Sequence, residues 1–266
     1  MAHELPRKRS LELLDGAAEA EQSEKPDHYR AFVPLARVLL SARYHTIVDG
    51  LENIPDQPSM FVINHIIAAD SVFVPAVVTS NTHIPLRMAA KQEYFAGKGI
   101  DGEGKYGKAI KWFMENTGQV EVDRDLTNPR SIMRLGAEVN EIVNQRGEHF
   151  GIHGEGTRSL NGKVNKMFNS IGRWSYDYSI PIVPVGLHYF PPTGILRRTP
   201  VTVRFGEPVL PESYHEEGSV VFETKGLSRK AQVITDIVEE RVALLAGLER
   251  SGEFAFNRDE RAANIK

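Results

Sequence analysis

Residues 60–70, MFVINHIIAAD, decide how the chain is read. Met60 to Ile63 is a short apolar run, the pattern of a strand buried on both faces. Asn64 ends the run, and a loop of small residues leads to Asp70. Residues 71–80 then take a helical pattern, with Pro75 close to its start. A strand passing to a helix through a short loop is the repeating unit of a parallel α/β sheet. Such sheets carry their chemistry in loops beyond the strands' carboxyl ends. His65 and Asp70 both fall in this loop. Five residues along a regular helix turn a side chain about 140° from its starting face. The two side chains can therefore meet only if the backbone turns between them. A histidine so paired is a general base, with the carboxylate fixing its far ring nitrogen. The same residues also fit a structural histidine followed by an aspartate that caps the next helix.

Outward from this loop, strands and helices alternate. Strands are predicted at His45 to Asp49, Pro85 to Ala90, Gln119 to Val122, Phe150 to Ile152, Ile180 to His188 and Val201 to Phe205. Helices are predicted at 107–115, 129–145, 168–178 and 227–249. The expectation is an α/β fold with a mostly parallel central sheet flanked by helices and an N-terminal amphipathic helix. That helix is residues 30–43, where Phe32, Leu35, Val38 and Leu39 form an apolar stripe beside Arg30, Arg37 and Arg43. It reads as a helix packed on the core, as one lying on a membrane surface, or as both. Residues 1–29 read as a polar, disordered arm, 30–250 as one domain and 251–266 as a polar tail. Pro181 and Pro184 cannot donate ladder hydrogen bonds, so their strand is expected at a sheet edge or interrupted beside a site.

Composition narrows the function classes. The 266 residues are 41% hydrophobic and 25% charged, so a sizeable core can form. A net charge of -3 argues against nucleic acid as a partner. The chain has no cysteine, which excludes disulfides, thiolate nucleophiles and cysteine-based zinc sites. No signal peptide is visible, and no apolar run is long enough to span a bilayer. No metal site is expected either: His149 and His153 are four apart, but across a strand end, where that spacing does not align two ligands. Gly99 to Lys105 has phosphate-loop spacing. Tyr106 stands where Ser or Thr is needed, and no clear strand leads in, so Gly97 to Lys108 reads as a flexible basic loop near the substrate entrance.

Three further blocks carry chemistry. Gly118 to Arg124 (GQVEVDR) is a strand that delivers Arg124, whose planar fork suits a phosphate. Glu155 to Ser159 (EGTRS) follows the Phe150 strand. Gly154 and Gly156 let its backbone approach a ligand, and Thr157, Arg158 and Ser159 add hydroxyls and charge. Ile180 to Val185 (IPIVPV) is the third. An ordinary ion pair and a polar turn are the plainer readings of the first two.

Taken in order, Asn64-His65 with Asp70, Gly118 to Arg124, Glu155 to Ser159 and Ile180 to Val185 resemble the blocks of the glycerophospholipid acyltransferase family, whose members include 1-acylglycerol-3-phosphate acyltransferases. Val201 to Val209 resembles the strand and turn that follow them. Two departures stand out. His153 and Gly154 replace the family's Phe-Pro, and Met167 to Ser170 stands where a Phe-Lys-x-Gly is common. The resemblance implies acyl transfer from acyl-CoA or an acyl-carrier protein to the free hydroxyl of a lysophosphatidic acid-like acceptor. It implies His65 as general base, Asp70 as its orienter, direct transfer without an acyl-enzyme and no cofactor. Arg124, Glu155, Gly156, Thr157 and Arg158 would bind substrate, with Lys163 and Lys166 supplying further charge. A cytoplasmic protein held at the inner face of a membrane is the expected setting. A thioesterase on the same site and a non-catalytic lipid-binding relative are the alternatives.

Overall fold

Short apolar strands with alternating side-chain directions bury both faces of a sheet only if helices cover both. That is the architecture in the computed structural model, which describes residues 28–98, 106–122, 129–159, 161–192, 198–213 and 226–255. In chain order the described elements are α1 (His28–Arg43), β1 (Tyr44–Asp49), β2 (Met60–Ile63), α2 (Asp70–Thr82), β3 (Leu86–Lys91), α3 (Gln92–Phe95), α4 (Gly107–Asn116), β4 (Val120–Val122), α5 (Pro129–Asn140), β5 (His149–His153), α6 (Ser170–Tyr178), β6 (Ile182–Tyr189), β7 (Thr199–Phe205) and α7 (Gly226–Ala246). A π turn, Glu141–Gln145, extends α5. The arm up to residue 27 lies outside the described residues, as does the Gly99 to Lys105 segment.

The seven strands form one sheet in the order β1-β7-β6-β2-β5-β3-β4. Every neighbouring pair is parallel except β6 with β7. Period-two alternation divides the core in two. Met60, Val62, Phe150 and Ile182 face one side, against Leu135 and Val139 of α5, Ile171 of α6 and Ile234 and Val238 of α7. Phe61, Ile63, Val183, Val185 and Leu187 face the other, against Val74 and Val78 of α2. Strand β2 is buried at all four positions, as its apolar run predicts. Helices α6 and α7 cross closely: a Cβ on Gly172 would stand 2.0 Å from the Ala231 carbonyl oxygen, so only glycine fits there.

The Pro181–Pro184 strand is not at an edge. It is β6, paired with β2 on one side and β7 on the other. The prolines are tolerated because of where their missing donors fall. Pro181 lies just before β6, and its carbonyl accepts from the Met60 N–H. At Pro184 the missing N–H faces β7. There the partner has left the ladder: Gly206 donates to the Pro184 carbonyl, and pairing resumes only at Ile182 with Val209.

Helix α1 has two apolar faces. Tyr29, Val33 and Ala36 are buried, and the Tyr29 hydroxyl donates to the Leu86 carbonyl oxygen at 2.6 Å. Phe32 packs on Phe113 of α4, ring centroids 4.5 Å apart. Leu35, Val38 and Leu39 are 54%, 66% and 61% exposed, so most of the predicted stripe faces outward. Beyond α7 the chain is tied down, with Ser251 donating to the Val164 carbonyl and Lys166 to the Glu253 carbonyl.

His149 opens β5 fully buried, and its Nδ1 accepts the Ser59 N–H at 3.1 Å. Its Nε2 has no hydrogen-bond partner among the described residues. Burial holds its pKa at about 4, against an ordinary 6.5. A histidine with a depressed folded pKa adds stability that is complete above 6.5 and is lost as pH falls from 6.5 to 4. Asparagine can accept the same N–H and does not titrate. Denaturant unfolding should show His149→Asn losing about 3 kcal/mol less than wild type on acidification across that window. An equal acid loss in both would contradict this source of acid lability.

Candidate active site

Strands β6, β2 and β5 are adjacent and parallel, so their carboxyl ends open on the same side. Each delivers one part of a single site: Tyr189 ends β6, the Asn64–Asp70 loop follows β2, and Gly154 to Ser159 follows β5. Asn64 anchors the start of its loop. Its side-chain amide donates to the Leu187 carbonyl at 3.0 Å and accepts from the Leu187 N–H at 2.8 Å.

The turn required between His65 and Asp70 is present, and α2 begins at Asp70 itself. The Asp70 side chain is fully buried. Its Oδ2 accepts the Ile66 N–H at 2.5 Å and the Ile67 N–H at 2.8 Å, and stands 3.0 Å from His65 Nδ1. An oxygen already accepting two N–H bonds leaves the ring nitrogen to donate. Nδ1 therefore carries the proton, and Nε2 is left with its lone pair. Asp70 pairs with the ring and does not cap the helix that follows: the N–H groups it accepts belong to the loop before α2, whose N-terminus has no side-chain cap. Asp70 Oδ1 accepts the Tyr189 hydroxyl at 2.5 Å. Burial and the neighbouring carboxylate push the tyrosine pKa well up, so it remains a donor.

The main chain of His65 is held from the other side. Its N–H donates to Glu155 Oε1 at 3.0 Å, and its carbonyl accepts the Ser159 N–H at 2.7 Å. Glu155 faces inward and is 1% exposed; its Oε2 accepts the Asn165 N–H at 2.8 Å and the Asn165 side-chain amide at 2.9 Å. Burial pushes its carboxyl up to about 7, against the pull of these three donors. Gly156 takes φ 70°, a left-handed conformation that favours glycine.

A second imidazole lies against the first. The rings of His153 and His65 are stacked at 3.9 Å between centroids and 14° between planes. His153 Nδ1 stands 3.2 Å from the Asn64 carbonyl oxygen and Nε2 stands 2.9 Å from Ser71 Oγ. A carbonyl only accepts, so Nδ1 is the protonated nitrogen and Nε2 accepts the serine hydroxyl.

The other predicted site residues divide. Thr157 and Arg158 lie in the loop stapled to His65, Arg158 with its side chain exposed. Lys163 pairs with Glu249 at 2.7 Å, and Lys166 lies 5.4 Å from the Phe254 ring centre, so both face the C-terminal segment. Arg124 lies outside the described residues; the strand leading to it, β4, is three places from β2 in the sheet. Among the described residues no cluster of His, Asp and Glu is placed to hold a metal ion. Tyr189, Ser71 and Asn165 carry no sequence signal of a site beyond Tyr189 ending an apolar strand beside it. His153 stands out in the sequence only as a departure from the family's Phe-Pro and as a rejected metal ligand, not as a neighbour of His65.

Comparison with known proteins gives the family and the fold. The Acyltransferase family model matches residues 45–188, more than half the chain, and the chain belongs to that family. Its fold is similar to that of the 1-acyl-sn-glycerophosphate (LPA) acyltransferase PlsC from Thermotoga maritima. The TM-score is 0.50 at 20% identity, over 87% of this chain and 88% of that one. No curated protein matches in sequence.

Removing the Tyr189 hydroxyl takes from Asp70 Oδ1 its donor among the described residues and leaves the ring packed against Phe73 and Tyr44. Charge-assisted bonds of this kind contribute about 1.5–3 kcal/mol. Tyr189→Phe should lower kcat roughly tenfold or more with little change in KM. An unchanged kcat would show that Asp70 is oriented without Tyr189.

Proposed function

We propose that this chain transfers a fatty acyl group from a thioester, acyl-CoA or acyl-carrier protein, to the free hydroxyl of a lysophosphatidic acid-like acceptor. The observation that carries the reading is the His65–Asp70 pair, with Nδ1 bound to a buried carboxylate and Nε2 left basic. His65 Nε2 takes the hydroxyl proton as the acceptor oxygen attacks the thioester carbonyl carbon. The new C–O bond gives a tetrahedral oxyanion, and its collapse breaks the C–S bond. The thiolate leaves and recovers the proton from His65, so ester and thiol are the products and the base is regenerated. No serine nucleophile is required.

Arg158, exposed beside the base, suits the acceptor phosphate. Thr157 and Gly156 shape the same loop, and Arg124 is proposed as a second fork for the same phosphate. Glu155 supports the site as a brace on the His65 main chain. An apolar crevice between α1, α2 and α4, walled by Phe32, Val33, Val72, Pro75 and Phe113 and reaching Ser71, is too narrow to hold an acyl chain unless these helices part.

Such a chain must be drawn from a lipid surface. No helix among the described residues is long and apolar enough to cross a membrane. Attachment through the outer face of α1 fits its exposed Leu35, Val38 and Leu39 beside the exposed Arg37 and Arg43.

Labelled oleoyl-CoA offered with glycerol-3-phosphate, both lysophosphatidic acid isomers, a lysophospholipid with a larger headgroup, or no acceptor tests the reading. Lysophosphatidic acid should be acylated, and His65→Ala should lose at least a hundredfold in turnover, the scale of a general base. Fatty acid release without acceptor would instead make the chain a thioesterase. Turnover surviving in the variant would remove His65 from the chemistry. Wild type should also sediment with anionic vesicles, and Arg37→Glu with Arg43→Glu should weaken that binding.

A further inference from the structure

The site holds a second histidine for which the proton transfer has no direct use. His153 is 8% exposed, carries its proton on Nδ1, and presents its ring face to His65 at 3.9 Å. Both of its nitrogens are engaged, Nδ1 by the Asn64 carbonyl and Nε2 by Ser71, so it is neither a free base nor a free donor. What remains available is the face of the ring. A neutral aromatic face attracts a cation placed over it, and more strongly where water is excluded.

His65 becomes such a cation each time it takes the acceptor's proton. Resting on the acyl-transfer reading above, we propose that His153 is a positioning residue for the general base, a neutral imidazole face that stabilises the imidazolium of His65 and holds its ring plane. The role requires His153 to stay uncharged while His65 cycles, since two stacked imidazolium rings would repel. Two features serve this. Burial holds the His153 pKa at about 3, with the His65 charge acting in the same direction and Asp70 and the Asn64 carbonyl opposing it. The Ser71 hydroxyl fills the Nε2 lone pair.

The titratable groups around the stack come from each neighbouring element. Asp70 begins α2 and meets the His65 ring at Nδ1 through its hydrogen bond, Tyr189 of β6 stands behind that carboxylate, and Glu155 follows β5 on the main-chain side of His65. A face of the His65 ring is thus met by His153 and its Nδ1 edge by Asp70.

Two variants separate the ring face from the polar bonds. Gln at 153 can keep bonds to the Asn64 carbonyl and Ser71 but has no aromatic face. Phe keeps the face and loses both bonds. Oleoyl transfer to lysophosphatidic acid is followed across pH in wild type, His153→Gln, His153→Phe and His65→Ala, with folding checked by thermal melting. His153→Gln should lose roughly tenfold in kcat, within the about 2- to 30-fold span of a cation–π contact. Its KM should hold, because His153 does not touch substrate. The acid limb of its kcat profile should move to lower pH, since a less stabilised imidazolium gives up its proton more readily. His153→Phe should recover most of the lost kcat and return the acid limb toward wild type. The reverse order, Phe impaired and Gln normal, would overturn the proposal and make His153 a polar brace. Equal losses with an unmoved acid limb would do so too. Turnover in His65→Ala would instead bring down the acyl-transfer reading itself.

Discussion

One carboxylate oxygen organises the site. Asp70 Oδ2 gathers the N–H groups of Ile66 and Ile67 and the Nδ1 proton of His65, all within 3.0 Å. Without the two backbone donors the loop after β2 would have no reason to close so tightly. Without that closure a histidine and an aspartate five residues apart would not meet. The same bonds that shape the turn set the tautomer of the base. Burying such a carboxylate is costly unless its acceptor sites are filled, and the Tyr189 hydroxyl fills the other oxygen.

The sheet makes this economical. Three parallel neighbours, β6, β2 and β5, each end at the site, and each end is stapled to the next. Asn64 clasps Leu187 of β6, while Glu155 and Ser159 grip the His65 main chain from the β5 side. Glu155, read from the sequence as part of a binding loop, is a buried brace in the structure, and the exposed charge of that loop belongs to Arg158.

Much of this was legible in the sequence because the signal was local. The β2 run, the turn before Asp70 and the glycine-rich turn at 154–156 depend on neighbouring residues. What was not legible depends on topology. Tyr189 meets Asp70 across 119 residues, and His153 meets Ser71 across 82. Pro184 shows the same dependence: of an edge strand and an interrupted one, the structure has the interruption, because a proline weakens a strand only on the side its nitrogen faces and which side the ladder leaves empty is a property of the partner strand. The apolar stripe of α1 was visible, but not that its inner contacts would come from Tyr29, Val33 and Ala36 while Leu35, Val38 and Leu39 stayed outside.

The central claim, that a buried carboxylate fixes His65 as a base with Nε2 free, is tested most directly by the ring nitrogens themselves. Histidine-selective nitrogen-15 labelling, with the His65 signals assigned from their loss in His65→Ala, reads the tautomer at neutral pH. The account predicts a protonated Nδ1 and an unprotonated Nε2 in wild type, and loss of that preference in Asp70→Ala. A wild-type ring protonated on Nε2 alone, or a tautomer indifferent to Asp70, would contradict it.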